Sequence, residues 1–356
     1  MASARRDVYQ VPNAPDAQAA GVDDVEREFD AFAILQDDEQ ALGLTFNDGS
    51  RPPISVREGP SGALWSVFVQ DTVRAASWLS LTGGLRQTHF SGGVVENATS
   101  PRVGVAAQIP ALGWTARAFY GRYYQAPPLS TASGPLIEFV TSQSLGFIPL
   151  RGERDEQIQA GVTIPVRGWT VDADLFRTHA SNFFDHNSVG NSNIFFPLTI
   201  EGARIRGAEF TARSPRAWQA VRVHAAYSYQ RAEGVGAVSG GLTDFAPAAG
   251  AFPLDHDQRH TFSAGLDAEM PRAFFGAVTV SYGSGLPDDG GPARLPAHTT
   301  CDLTIGRTFG KRLALSVTAL NVTNLRVLID NSETFGGRHY NSPREVYAEV
   351  RYRFHY

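Results

Sequence analysis

The stretch FPLDHDQRHTFSAGL, Phe252 to Leu266, sets Asp255, His256, Asp257, Arg259 and His260 almost side by side. On one helical face, histidines four apart grip zinc, and a carboxylate beside an imidazole can move protons. The residues that follow deny the helix. Phe262, Ala264 and Leu266 alternate with Thr261, Ser263, Gly265 and Asp267, a period of two that belongs to a strand. On a strand, residues four apart share a face but stand roughly 13 Å apart, too far for one zinc without a chain reversal. The competing reading is a polar entrance to a strand. The GSG of YGSGLP, Tyr282 to Pro287, fails similarly as a nucleophile elbow, because it ends a strand and enters a loop, with no strand-to-helix turn. The sequence carries no catalytic constellation, so neither an enzyme nor a cofactor is expected.

Composition narrows the classes. The chain has 356 residues, 42% of them hydrophobic, and no apolar run long enough for a membrane-spanning helix. A single cysteine, Cys301, excludes an internal disulfide framework, and a formal net charge of -5 does not favour a nucleic-acid partner. MASARRDVYQ has two arginines but no apolar run behind them, so no signal peptide is recognised.

The elements that position these residues are long alternating runs. Compact turn candidates recur: Arg74 to Ser77, Ile109 to Gly113, Ile164 to Gly168, Ser214 to Ala217, Met270 to Ala273 and Phe309 to Lys311. Between them Val171, Ala173 and Leu175 oppose Asp172, Asp174 and Phe176, and Cys301, Leu303 and Ile305 oppose Asp302, Thr304 and Gly306. Many such strands reach about ten residues, longer than the usual five or six. The connections at the other end are long and irregular, among them SNFFDHNSVGNSNIFFPLTIEG and RAEGVGAVSGGLTDFAPAAGAFPLDHD. Short turns at one end and long loops at the other describe an up-and-down, antiparallel transmembrane β-barrel, and ten residues tilted near 45° rise about 24 Å, close to its apolar band.

Aromatic residues give an independent signal. Trp78, Trp114, Trp169 and Trp218 follow the tight turns, and Phe274 and Phe275 hold the same place after Met270 to Ala273, as an interfacial girdle requires. Large aromatics plugging the floor of a soluble core are the alternative. In the last segment, SPREVYAEVRYRFHY, Val346, Val350, Tyr352, Phe354 and Tyr356 share one face, while Arg351 and Arg353 share the other. With Asp172, Asp174 and Arg222, these arginines are expected to face a wet lumen.

That ending resembles the terminal strand of outer-membrane barrels, with Tyr356 where Phe is more usual, which implies recognition of Val350, Tyr352, Phe354 and Tyr356 by the barrel assembly machinery. More specifically, the chain resembles the barrel portion of TonB-dependent receptors. The likeness runs in order through Gln70, Asp71, Trp78 and Gly84 to Arg86; through Ser100 to Arg102, Tyr120, Gly121 and Pro127; and through IRGAEF, DHDQRHT, YGSGLP and NVTNL. The resemblance implies an outer-membrane location in a Gram-negative-type bacterium and contact with outer-membrane lipid. It also implies a barrel of about 22 strands with an N-terminal plug that binds substrate and meets TonB. Neither a plug nor a TonB-contact segment is evident, so TonB is expected only through a plug outside this sequence.

Counting runs gives about thirteen strands from Leu64 onward. FDAFAIL or ALGLTF could add one or two, and an even total of about fourteen suits a closed bacterial barrel. Residues 1–60 read as an acidic loop-like segment and 61–356 as the barrel region. Three functions compete: the C-terminal barrel part of a receptor importing a scarce ligand, a free-standing passive pore, and a soluble β-rich binding or adhesion protein. By position, Phe183, Phe184, His186, Phe195, Phe196 and His339 are the external-loop candidates for touching a ligand, whose identity these residues do not disclose.

Overall fold

The computed structural model describes residues 62–128, 146–188, 195–217, 220–243, 249–255, 257–288, 293–330 and 339–354. In chain order the strands are β1 (Ala63–Ala76), β2 (Leu79–Gly92), β3 (Val94–Ile109), β4 (Trp114–Gln125), β5 (Phe147–Ile148), β6 (Glu153–Val166), β7 (Trp169–Ser188), β8 (Phe195–Arg213), β9 (Val221–Leu242), β10 (Gly250–Pro253), β11 (His260–Met270), β12 (Phe274–Gly283), β13 (His298–Phe309), β14 (Leu313–Leu320), β15 (Leu328–Asp330), β16 (His339–Tyr340) and β17 (Glu345–Tyr352). Thirteen of them form one antiparallel path, β1-β2-β3-β4-β6-β7-β8-β9-β11-β12-β13-β14-β17; β5 and β10 add to β9, and β15 pairs β16 separately. No helix among the described residues is long and apolar enough to cross a membrane.

The tight turns explain the meander. Val166 pairs Trp169 across Arg167 and Gly168, and both turn residues hold positive φ (51° and 83°), the twist that a two-residue hairpin demands. Glycine takes that conformation without the Cβ clash that other residues meet. Between β11 and β12 the reversal is a single 3₁₀ turn, Pro271–Ala273.

Because every neighbour on this path is antiparallel, and its register shifts are confined to the ends of the β1–β2 and β8–β9 pairs, one face can be followed from edge to edge. Val69 lies opposite Leu85, Leu81 opposite Val105, Leu175 opposite Ala160 and Ala208, Val278 opposite Leu303, and Leu315 opposite Val350. These side chains are uncovered: Val69 and Val350 are each 70% exposed, and Leu175 63%. A continuous exposed aliphatic face of this extent is a surface built for an apolar medium. The opposite face carries Thr82, Arg102, Arg117, Asp172, Asp174, Glu209, Asp267 and Asp302.

The structure alters the reading of the long connections. SNFFDHNSVGNSNIFFPLTIEG is largely strand: β7 runs for 20 residues and β8 for 19, with Phe183 opposite Ile200 and Phe184 opposite Thr199 beyond a kink at Asn182 (φ 50°). β9 likewise continues for 22 residues into the glycine-rich stretch read as loop. Backbone pairing, rather than apolar alternation, organises these extensions. A small core lies there, with Ala180, Ala203, Ala232 and Leu254 buried against Phe183, Ile205 and Phe252.

β1 and β17 are not bonded to each other, so the described path is an open sheet with two free edges. The expected even total of about fourteen rests on FDAFAIL and ALGLTF, which lie outside the described residues, as do the whole acidic segment 1–60, His256, Trp218 and Tyr356.

Candidate functional site

On the charged face, Arg117 of β4 reaches across β6 to β7. Its Nε donates to Asp174 Oδ1 at 3.2 Å and its Nη1 to Asp172 Oδ1 at 3.3 Å, and its Nη2 also donates to Asp174. Thr163 of β6 bridges the set, accepting from Arg117 at 2.6 Å and donating to Asp172 at 2.5 Å. Gly161 stands directly opposite Asp174, and a Cβ there would fall 2.0 Å from the Asp174 carboxylate, so this glycine is the space in which the carboxylate lies. One guanidinium thus satisfies two carboxylates two residues apart, an arrangement that holds charge on a wall without a metal or a reacting atom.

Asp172 and Asp174, expected to face a wet lumen, share the charged face of the sheet and meet there a cation that the sequence did not single out. The alternation of Thr115, Arg117, Phe119 and Gly121 places Arg117 on one face of its own strand, but only the registers of β4 with β6 and of β6 with β7 bring that face to Asp172 and Asp174. Arg222 lies opposite Asp267, and Arg351 opposite Ala314, with its guanidinium on Glu349 at 2.8 Å. Arg353 follows the last strand, its backbone N–H donating to Arg312. Nothing brings these three to the Arg117 cluster. Nearer the middle of the sheet, Glu209, Thr211, Ser228, Ser263 and Thr300, together with Tyr227, Phe262 and Tyr282, line an open hollow of about 420 Å³, a volume in the range of small-molecule sites.

At the long-loop end, the acidic residue of the DHDQRH stretch that matters is Asp257. Its side chain is fully buried, accepting from the Ala232 N–H at 2.9 Å, Arg259 Nε at 2.8 Å and Arg294 Nη2 at 2.7 Å. Burial opposes its ionisation, but the Ala232 amide and the two guanidiniums outweigh it and hold the carboxyl below the usual range. His260 faces the other way, its Nδ1 2.8 Å from the Tyr227 hydroxyl. Among the described residues no group of three or more His, Cys, Asp or Glu is placed to hold a metal. A second buried carboxylate, Glu96 of β3, accepts from the Tyr124 hydroxyl at 2.8 Å and the Gly152 N–H at 2.9 Å, pinning the segment before β6.

The external candidates divide by hairpin. Phe183, Phe184, His186, Phe195 and Phe196 all belong to the extended β7–β8 hairpin, and Phe183 packs into the small core instead of standing clear of it. The Phe184 N–H is held by Glu153 at 2.7 Å. His339 sits on the separate β15–β16 pair, its Nδ1 3.3 Å from Asp330.

At the short-turn end, Trp114 lies opposite Ile109 and Trp169 opposite Val166 on the aliphatic face, and Trp78 sits in the turn between β1 and β2. Phe274 joins that face opposite Met270, with the Arg307 guanidinium 5.1 Å from its ring. Phe275 does not. Adjacent residues of a strand point to opposite faces, and its ring covers Gly306 on the charged side. Of the terminal set, Val350 and Tyr352 share the aliphatic face, and Phe354 follows with its ring 4.8 Å from Tyr352.

A family model described as "TonB dependent receptor-like, beta-barrel" matches residues 13–325. No curated protein matches the sequence. Among solved structures, the fold is similar to the ferric-catecholate import receptor Fiu from E. coli in its closed form, with 14% identity, 81% of this chain and 44% of that one covered and a TM-score of 0.56. It is similar also to the siderophore receptor PirA from Acinetobacter baumannii (15% identity, 82% and 46% covered, TM-score 0.58) and to the ferric yersiniabactin uptake receptor FyuA from Yersinia pestis (14% identity, 83% and 46% covered, TM-score 0.60). The chain therefore spans less than half the length of each of these three structures.

Proposed function

Because this chain belongs to the TonB-dependent receptor-like β-barrel family, we propose that it forms about half of an outer-membrane uptake barrel, the C-terminal half, in a Gram-negative-type bacterium. The observation that carries this reading is the sorting of side chains along thirteen strands, mainly aliphatic on one face and polar or charged on the other, with the aliphatic face giving way to charge toward the long-loop end. The free edges of β1 and β17 support the half-barrel. Unpaired backbone groups in hydrocarbon cost several kcal/mol each, so both edges need partner strands before insertion.

In this reading residues 61–356 are barrel and residues 1–60 precede its described part. Trp78, Trp114, Trp169, Trp218 and Phe274 mark the periplasmic interface, and Val350, Tyr352, Phe354 and Tyr356 present the terminal strand to the barrel assembly machinery. No bond is made or broken. Ligand contacts fall to the inner wall and the β7–β8 and β15–β16 hairpins, and TonB acts through a plug. The similar structures are described as a ferric-catecholate import receptor, a siderophore receptor, a ferric yersiniabactin uptake receptor and a copper transporter, which favours a metal or a metal chelate as cargo, and the inner hollow, lined by hydroxyls and aromatic side chains together, is a candidate contact for it.

Conductance of the purified chain in a planar lipid bilayer tests the half-barrel. Silence, with β-structure retained in detergent, and steady conductance once the missing strands are supplied are the expected results. Steady conductance by the chain alone would replace this reading with a self-sufficient pore, and stable solubility without detergent would replace it with a water-soluble binding protein.

A further inference from the structure

Three arginines stand directly opposite one another on the aliphatic face: Arg177 of β7 faces Arg206 of β8, which faces Arg231 of β9. One pair farther from the short turns, Arg204 lies between His179 and Glu233. Like charges placed directly across a sheet destabilise it unless something neutralises them. The neighbouring carboxylates are already engaged, Glu233 by Arg231 and Glu156 by Arg122 at 2.9 Å. Arg177, Arg204 and Arg206 are exposed and make no ion pair with any described residue.

Their height identifies what faces them. Arg177 is eight residues beyond Trp169, about 26 Å along the strand and about 19 Å in height at a 45° tilt, near the top of an apolar band about 25 Å tall. Below the row lie Leu175, Ala208 and Phe210. An arginine there buries its methylenes on the apolar face and lifts its guanidinium toward the head groups. Guanidinium binds phosphate oxygens in a bidentate fork, the strongest match its geometry offers. We propose that Arg177, Arg204 and Arg206 form an outward docking site for the phosphate head group of a lipid in the outer leaflet, its acyl chains lying on Leu175 and Phe210. The inference rests on the outer-membrane reading above.

The test counts lipids retained by the full-length chain in neutral detergent, using phosphatidic acid and phosphatidylcholine of identical acyl chains and native mass spectrometry. Phosphatidic acid is expected to be retained about a hundredfold better, at roughly fivefold for each of the three arginines at low salt. The triple change Arg177→Gln, Arg204→Gln and Arg206→Gln should abolish the preference, and Arg206→Gln alone should weaken it. Arg222→Gln, Arg351→Gln and Arg353→Gln, removing the same charge from the other face, should leave it intact. Equal retention of both lipids, indifference to the outward changes, equal loss with the inner ones, or displacement of the lipid by inorganic phosphate would each overturn the site. A chain that retains neither lipid and stays dissolved without detergent would overturn the membrane reading with it.

Discussion

Arg294 and Asp257, 37 residues apart, meet at 2.7 Å where the Asp257 carboxylate has no exposure to water. The contact ties the segment between β12 and β13 to the entrance of β11, and the Ala232 amide joins β9 to the same carboxylate. Three stretches of chain at the long-loop end are thus fixed by one buried charge. Removing one partner of such a buried pair costs about 3–5 kcal/mol, because the other is left uncompensated. Asp257→Ala is expected to free the segment ending at Arg294, raising its cleavage by a protease many-fold while the β-sheet signal in circular dichroism is retained. Unchanged cleavage would remove Asp257 from this role.

The same carboxylate predicts a pH dependence with a definite sign. Its folded-state pKa lies below the unfolded value of about 3.9, so its contribution is complete above that value and is lost as pH falls through the lower folded value. Cleavage of this segment by an acid-active protease should therefore accelerate below about pH 4 in the wild type. Asp257→Asn should flatten the profile; a wild-type profile as flat as the variant's would count against the assignment.

On the charged face, Arg117 is about one-third exposed and Asp174 about one-eighth, so solvent screens part of their attraction. A double-mutant cycle on Arg117→Ala and Asp174→Ala is expected to give a coupling of about 1 kcal/mol that shrinks with added salt. Strict additivity of the two urea-unfolding shifts would mean that the pair holds nothing.

How much of this was legible in the sequence follows from the range of each interaction. The two faces of β7 and β13 could be read because one strand carries its own alternation, and the count from Leu64 came to about thirteen because each tight turn announces itself in Pro, Gly or a polar pair. The meeting of Arg117 with Asp172 and Asp174 could not, since it depends on the registers of β4 with β6 and of β6 with β7, which no local pattern encodes. The extension of β7 and β8 was hidden for another reason. In the outer-membrane reading proposed above, this part of the hairpin lies beyond the apolar band and needs no apolar face, which accounts for Asn182 to Ser188 losing the periodicity that marks a strand while keeping its pairing. Phe275 was misplaced for lack of a rule applied strictly: two neighbours on a strand cannot share a girdle.

The turn at Gly168 offers a direct check on the hairpin geometry. At φ 83° an L side chain is strained, and its Cβ would stand 3.3 Å from Pro215. Gly168→Ala is expected to cost about 1–2 kcal/mol, and Gly168→Asn less, because asparagine tolerates this region better. Unfolding midpoints in detergent should rank wild type, Asn, then Ala. Equal midpoints would argue that the turn adopts another form.

The assignment of faces is tested most sharply by one pair of adjacent residues in β13. Leu303 is 47% exposed on the aliphatic face and lies six residues before Phe309 at the short-turn end, about 14 Å up a band about 25 Å tall at a 45° tilt. Thr304 points the opposite way and pairs its hydroxyl with Thr318 at 3.0 Å. An arginine at Leu303 would therefore sit near the middle of the hydrocarbon and cost about 2–4 kcal/mol, whereas an arginine at Thr304 meets a wet wall and loses only a hydroxyl contact. Leu303→Arg should sharply lower the fraction of chain recovered in membranes, and Thr304→Arg should leave it nearly unchanged. If the two variants exchanged behaviour, the charged face would be the one turned toward lipid. If both were tolerated, neither face would meet hydrocarbon and the sheet would belong to a water-soluble protein.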